Sequence, residues 1–127
     1  MDRRERAIEL KHHGHNCCQA VLGAFADQVD LPEETLDAMG ACFGGGMGRM
    51  EGTCGALVAA QMLTGLTCFE GKPLGRDARA NFDQFQKACG ATLCKDLKGR
   101  DTGVVLCACD DCIRNAVSIA EQLFANA

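Results

Sequence analysis

Apolar residues along this chain recur at intervals of three and four, the spacing that lines one face of a helix, and the runs break at glycine and proline. Arg3 to His13 reads as a first helix, stopped at Gly14. A second runs from Cys17 to about Val29, with Cys17, Ala20, Val21, Ala24 and Phe25 on one face. Pro32 opens a third, followed by Glu33 and Glu34 at its positive end, and Gly40 closes it. "FGGGMGRMEG", Phe43 to Gly52, is too rich in glycine for regular structure and predicts a loop. Cys54 to Leu66 is an apolar helix, and Gly71 to Gly75, containing Pro73, is a connection. Arg76 to Cys89 follows, with Ala78, Phe82, Phe85 and Cys89 sharing a face and Gly90 ending it. A short turn over Leu93 to Leu97 leads into the polar loop "KGRDTG". Asp111 to Ala125 is the last helix, its buried stripe being Ile113, Ala116, Val117, Ala120 and Phe124. Gly103 to Leu106 alone looks strand-like, and one strand makes no sheet. The prediction is an all-α fold: a compact single-domain bundle of about five to six helices with a glycine-rich loop, spanning residues 1–127.

Length agrees with that, since 127 residues suffice for one real core and are short for two. A formal charge of -4 argues against nucleic acid as a partner. Arg3, Arg4 and Arg6 alternate with Asp2, Glu5 and Glu9, which predicts a solvated face with local ion pairs. No apolar stretch is followed by a small-residue cleavage site, so no secretory signal is expected. The most apolar segment, Cys54 to Leu66, is interrupted by Gln61 and Thr64 and falls short of the roughly 18 apolar residues of a membrane span. The expected location is the cytoplasm.

Ten cysteines, at positions 17, 18, 42, 54, 68, 89, 94, 107, 109 and 112, are the outlier of the composition. In a reducing compartment structural disulfides rarely persist, which leaves thiol chemistry or metal binding. Asn16 is a good N-cap with Gln19 three residues on, placing Cys17 and Cys18 at the first two helical positions. Thr53 caps the helix beginning at Cys54, Thr92 caps the turn carrying Cys94, and Asp110 or Cys109 caps the last helix with Cys112 in its first turn. At such positions free N–H groups and the helix dipole stabilise an anion, so the thiol pKa is expected to fall. Cys42, Cys68 and Cys89 fit a packing role instead, as small apolar residues.

Several weaker signals surround these. "CACDDC", Cys107 to Cys112, contains a Cys-x-x-Cys pair, but no second such pair exists for a zinc ribbon. Asp110 and Asp111 between its thiols are expected to raise the Cys109 pKa. His12, His13 and His15 at a helix end read as solvated or capping groups. "GGGMGR" has neither a preceding strand nor a following Gly-Lys-Ser/Thr, so it is no nucleotide loop. Gly44, Gly45 and Gly46 instead let backbone approach the Cys54 region closely and form a nest of N–H groups for an anion or cluster. Met39, Met47, Met50 and Met62 read as packing.

"GHNCCQAVLGAF", "FGGGMGRMEGTCGALVAA", "GATLCKDLKG" and "CIRNAV" together resemble the C_GCAxxG_C_C family, cysteine-rich proteins with a suggested redox role, named for four cysteines and a Cys-Gly-Ala signature. The resemblance covers most of the chain, glycine-rich loop included. It implies that the family's four cysteines fall on Cys17, Cys54, Cys94 and Cys112, the four picked out by capping. One departure is that the signature's closing glycine is Ala59 here. Membership implies cytoplasmic redox chemistry, with no assigned reaction.

Two functional readings follow. In the first, Cys17 attacks a redox partner protein or a small oxidant, and Cys54 or Cys18 resolves the product to a disulfide without any cofactor. In the second, Cys17, Cys54, Cys94 and Cys112 hold an iron–sulfur cluster or zinc, with Cys109 as an extra ligand, in an electron carrier or sensor. A helical interaction module with incidental thiols is a third. Both leading readings need the four sulfurs to cluster, with Cys42, Cys68 and Cys89 outside.

Overall fold

Residues 2–125 are described by a computed structural model; Met1, Asn126 and Ala127 of the expected span lie outside the described residues. Seven α-helices follow one another: α1 Arg3–His12, α2 Cys17–Ala24, α3 Glu33–Gly40, α4 Gly55–Cys68, α5 Gly75–Cys89, α6 Cys94–Lys98 and α7 Cys109–Glu121. A π turn, Gly46–Met50, lies in the glycine-rich loop, and a 3-10 turn, Gln122–Phe124, follows α7. No strand occurs among the described residues; Thr53 and Leu93 form an isolated antiparallel bridge. The helical class is as expected and the helix count is somewhat higher, because the five-residue α6 and the two turns add to the six longer helices.

α2 packs on α1, α3 and α4, while α7 packs on α1, α2, α4 and α5, so these two helices sit between the others. Small side chains make that possible: Ala7, Ala20, Ala56, Ala59, Ala60 and Ala116 are fully buried, and the larger Phe25, Leu57, Leu63, Phe85, Leu97, Ile113 and Val117 fill the space between them. Ala59, where the family signature has glycine, puts its methyl group into this core.

Three boundaries and faces differ from the sequence expectation. α2 stops at Ala24 rather than near Val29, because the Arg3 guanidinium donates to the Ala24 carbonyl at 2.7 Å and to the Asp27 carboxylate at 2.9 Å, holding the chain in turns. The local ion pairing expected for α1 is thus partly tertiary. α5 buries Asn81, Phe85 and Cys89 and leaves Phe82 exposed, since the Asn81 amide donates to Thr64 Oγ1 at 2.8 Å and Gln61 Oε1 at 2.9 Å. α7 begins at Cys109 with extended Ala108 as its N-cap, two residues before Asp111. Gly103 to Leu106 is irregular, and Val104, Val105 and Leu106 are exposed.

Candidate functional site

Four helices begin on or beside cysteine. Cys17 is the first residue of α2, Cys54 is the N-cap of α4, Cys94 is the first residue of α6 and Cys109 the first of α7. At α2 the expected capping box forms: the Asn16 side chain accepts from the Gln19 N–H at 2.8 Å, and Gln19 Oε1 accepts from the Asn16 N–H at 2.9 Å. The Asn16 amide also donates to the carbonyls of Gly40 at 3.0 Å and Ala41 at 3.3 Å, which fixes the end of α3 against the start of α2.

Thr53 and Thr92 do not cap α4 and α6. The two segments pair instead: the Cys54 N–H donates to the Thr92 carbonyl at 2.8 Å and the Cys94 N–H to the Gly52 carbonyl at 3.0 Å, clipping the starts of α4 and α6 side by side. Cys112 has no free amide either, since its N–H donates to the Ala108 carbonyl at 2.9 Å. The helix-start position expected for Cys112 belongs to Cys109.

The glycine-rich loop folds over these starts. Gly44 lies against Asn16, with space for no side chain: a Cβ there would meet Asn16 Cβ at 2.5 Å. Gly45 lies near enough for its backbone N–H to favour the Cys17 thiolate. Gly46 lies on Cys94, where a Cβ would meet Cys94 Cβ at 2.5 Å. Gly45 and Gly46 take left-handed backbone at φ 59°, and Met47 and Met50 follow at φ 63° and 61°, a conformation that costs a residue with a side chain about 1–3 kcal/mol. The close backbone approach expected at the Cys54 region is made there, where a Cβ on Gly55 would lie 2.3 Å from the Phe43 carbonyl oxygen, and the loop also reaches Cys94.

The thiols form a line that ends in a triangle. Cys109 sits beside Cys17, Cys17 beside Cys54, and Cys54 beside Cys112. Cys112 then joins Cys89 and Cys107, and those three sulfurs all lie within 4.8 Å of one another. Cys18 and Cys94 flank this arrangement, close enough to feel the charges of Cys17 and Cys109 respectively. All ten cysteines are free; Cys42 is exposed and Cys68 half-buried, away from the network. Cys17, Cys54 and Cys112 of the four family cysteines are consecutive in the line, while Cys94 stands to its side near Cys109. Cys89, read from the sequence as packing, is part of the network.

Burial and neighbours dominate the electrostatics. Cys17 has favourable company, since Cys109 and the Gly45 N–H both support its thiolate, yet Cys54 beside it and burial leave its pKa raised. Burial, then the charges of Cys17 and Cys54, pushes Cys18 up to about 12. Cys54 is also pushed up to about 12, first by Cys112 and then by burial, against the pull of Cys17 and the Ala56 N–H. Cys109 is driven well above the usual thiol range by Cys17 and by burial, and the expected repulsion from Asp110 and Asp111 is not among the causes. Asp111 pairs with Arg114 at 2.9 Å and Asp110 with His12 at 2.9 Å. The lowered thiol pKa expected at helix starts is thus overturned, because neighbouring thiols and then burial outweigh the partial charge of a helix end at Cys17, Cys54 and Cys109, and burial does so at Cys94.

One cation enters the network. Lys98 donates to Cys112 Sγ at 3.4 Å and to the Cys107 carbonyl at 3.3 Å. Burial lowers its pKa, but the sulfurs of Cys112, Cys109 and Cys54 together raise it, so it stays charged. Sequence reading missed Lys98, although it lies one helical turn beyond Cys94, a spacing that puts both on one face. The histidines do not converge: His12 meets Asp110, His13 bonds the Glu9 carbonyl at 2.7 Å, and His15 pairs with Asp37 at 3.2 Å.

Fold and site together define a helical, cysteine-rich protein organised around buried free thiols. The chain belongs to the family described as "Putative redox-active protein (C_GCAxxG_C_C)", whose profile matches residues 15–123. No curated protein and no solved structure matches it. No helix among the described residues is long and apolar enough to cross a membrane.

Proposed function

We propose that the protein is a thiol–disulfide redox protein in which Cys17 and Cys54 cycle between dithiol and disulfide. The observation that carries this is the place of Cys17, whose sulfur lies against the start of α4 beside Cys54: a Cβ on Gly55, the next residue, would meet Cys17 Sγ at 2.6 Å. Two free thiols already side by side need little rearrangement to bond. Cys17, relieved of its proton, attacks one sulfur of an oxidised partner's disulfide and expels the other as a thiolate. Cys54, deprotonated in turn, attacks the Cys17 sulfur, expelling the second partner thiolate. The two protons from Cys17 and Cys54 go to the two departing thiolates, and the electron pair passes from this protein to the partner. The raised pKa values mean that the reduced pair carries its protons, as neutral thiols, and that exchange speeds up as pH rises.

The test is equilibration of a Cys42→Ser/Cys68→Ser background in redox buffers, followed by peptide mapping. The expected result is one two-electron transition yielding a Cys17–Cys54 bond, abolished in Cys17→Ser. A chain that stays fully reduced, or a bond mapping elsewhere, overturns the reading. The reading of Cys17, Cys54, Cys94 and Cys112 as four ligands to an iron–sulfur cluster or zinc gains support from Cys54 having both Cys17 and Cys112 as neighbours. A visible iron–sulfur band in anaerobically purified protein, lost in Cys17→Ser, would put that reading first.

A further inference from the structure

We infer that Cys89, Cys107 and Cys112 form a binding site for a soft divalent cation of the zinc class, distinct from the Cys17–Cys54 pair. The three come from separate places: Cys89 is the last residue of α5, Cys107 lies in the segment before α7, and Cys112 is in the opening turns of α7. Their sulfurs nevertheless lie within 4.8 Å of one another, and all three residues are buried. Three sulfurs bound to one ion at about 2.3 Å are about 3.8–4.0 Å apart, so closing on a metal takes shifts of less than about 1 Å.

The surroundings are those of a ligand set held in place. Asn115, on the same face of α7 as Cys112, donates its amide to Cys89 Sγ at 3.3 Å, and Lys98 donates to Cys112 Sγ at 3.4 Å. N–H groups directed at sulfur orient a thiolate and spread its charge. The Cys107 backbone is pinned, since its N–H reaches the Leu97 carbonyl at 3.2 Å and its carbonyl accepts from Lys98. Thiolate ligands select soft ions.

Charge selects the valence. Three thiolates and a divalent ion carry one net negative charge, which the Lys98 ammonium offsets, leaving a neutral buried assembly. A monovalent ion would leave one uncompensated negative charge there. Binding converts three thiols and M2+ into M(Cys)3 with release of three protons, no electron moving, so affinity rises steeply with pH. The site uses neither Cys17 nor Cys109 and stands or falls apart from the thiol-exchange reading.

The probe is Cd2+, added to reduced protein in the Cys42→Ser/Cys68→Ser background with a competing chelator. Expected are one equivalent bound per chain with a sulfur-to-cadmium charge-transfer band, release of about three protons, and protection of Cys89, Cys107 and Cys112 from alkylation. That footprint needs no change in the network and so no variant that might misfold. Cys107→Ser, at the edge of the core, should weaken binding about 100-fold or more and Lys98→Met about 10-fold, whereas Cys17→Ser should leave it unchanged. Protection falling on Cys17, Cys54 and Cys94 instead, unchanged affinity in Cys107→Ser, or no stoichiometric binding would each overturn the inference.

Discussion

Gly55 shows how closely backbone is laid against sulfur in this protein. A Cβ at this position would lie 2.3 Å from the Phe43 carbonyl oxygen and 2.6 Å from Cys17 Sγ, while at Gly65 in the same helix nothing lies within 4 Å. Gly55→Ala is therefore expected to lower stability by about 1–3 kcal/mol, because backbone has to move. Gly65→Ala should raise it by up to about 1 kcal/mol through helix propensity. Paired thermal melts check both, and equal effects at the two sites would mean that contact with Cys17 is not what Gly55 serves. At this scale the sequence is a partial guide. The glycine-rich loop announces close approach, but not which sulfur is approached. Cys89 looks like core because it shares a spacing with Phe85, and it is indeed buried, yet burial beside Cys107 and Cys112 is a different circumstance from burial beside phenylalanine. That distinction depends on which other segment packs there, and spacing along one helix carries no such information.

Helix starts were legible where the partner is local and illegible where it is not. The capping box of α2 lies within four residues, and "NCCQ" spells it out. Thr53 and Thr92 carry the same local signal, but the amides of Cys54 and Cys94 are taken by a backbone bridge between segments some forty residues apart, a tertiary pairing that local pattern does not encode. Helix class, order and approximate extent follow from periodicity; the early end of α2 does not, since it depends on Arg3 reaching across to Ala24. Asn16 joins both kinds of contact, capping α2 and holding the end of α3 through the Gly40 and Ala41 carbonyls. Asn16→Ala is expected to cost about 1–2 kcal/mol, at the upper part of the range for a lost cap. Asn16→Asp, which keeps the cap acceptor and loses the amide donor, should recover part of that loss. Chemical denaturation of the three proteins measures it, and an Asn16→Asp variant no better than Asn16→Ala would assign the whole effect to the α3 contacts.

Across the whole molecule, a network of neutral thiols makes stability a function of pH with a definite sign. Seven cysteines have raised pKa values in the fold, and for Cys18 and Cys54 the shift runs from 9.0 to about 12. An acid whose folded pKa exceeds its unfolded value keeps its proton in the folded chain after the unfolded chain has lost it. The unfolded state then binds fewer protons, so unfolding free energy falls as pH rises. The contribution is fully present below about pH 9 and is lost between about 9 and 12. Lys98 acts in the same direction: its pKa is raised in the fold, so the stabilisation from its charge is present below the ordinary lysine value and is lost as pH rises through the raised one. Because the thiols are neighbours, the first thiolate to form opposes the next, and the loss is spread over the window instead of arriving at one pH. Denaturation midpoints of the reduced, chelator-treated protein are expected to be level from pH 7 to 8.5 and to decline from about pH 9 onward. A stability that is flat or rising between pH 9 and 11 would show that the thiols are already ionised in the fold. Bound Cd2+ gives the level region below pH 9 an upward slope, because a metal-bound thiolate has given up its proton in the folded state while the unfolded chain still holds one. Stability rising with pH in the presence of Cd2+, set against a level curve without it, therefore separates a metal-binding thiol cluster from a purely packed one in a single pair of titrations.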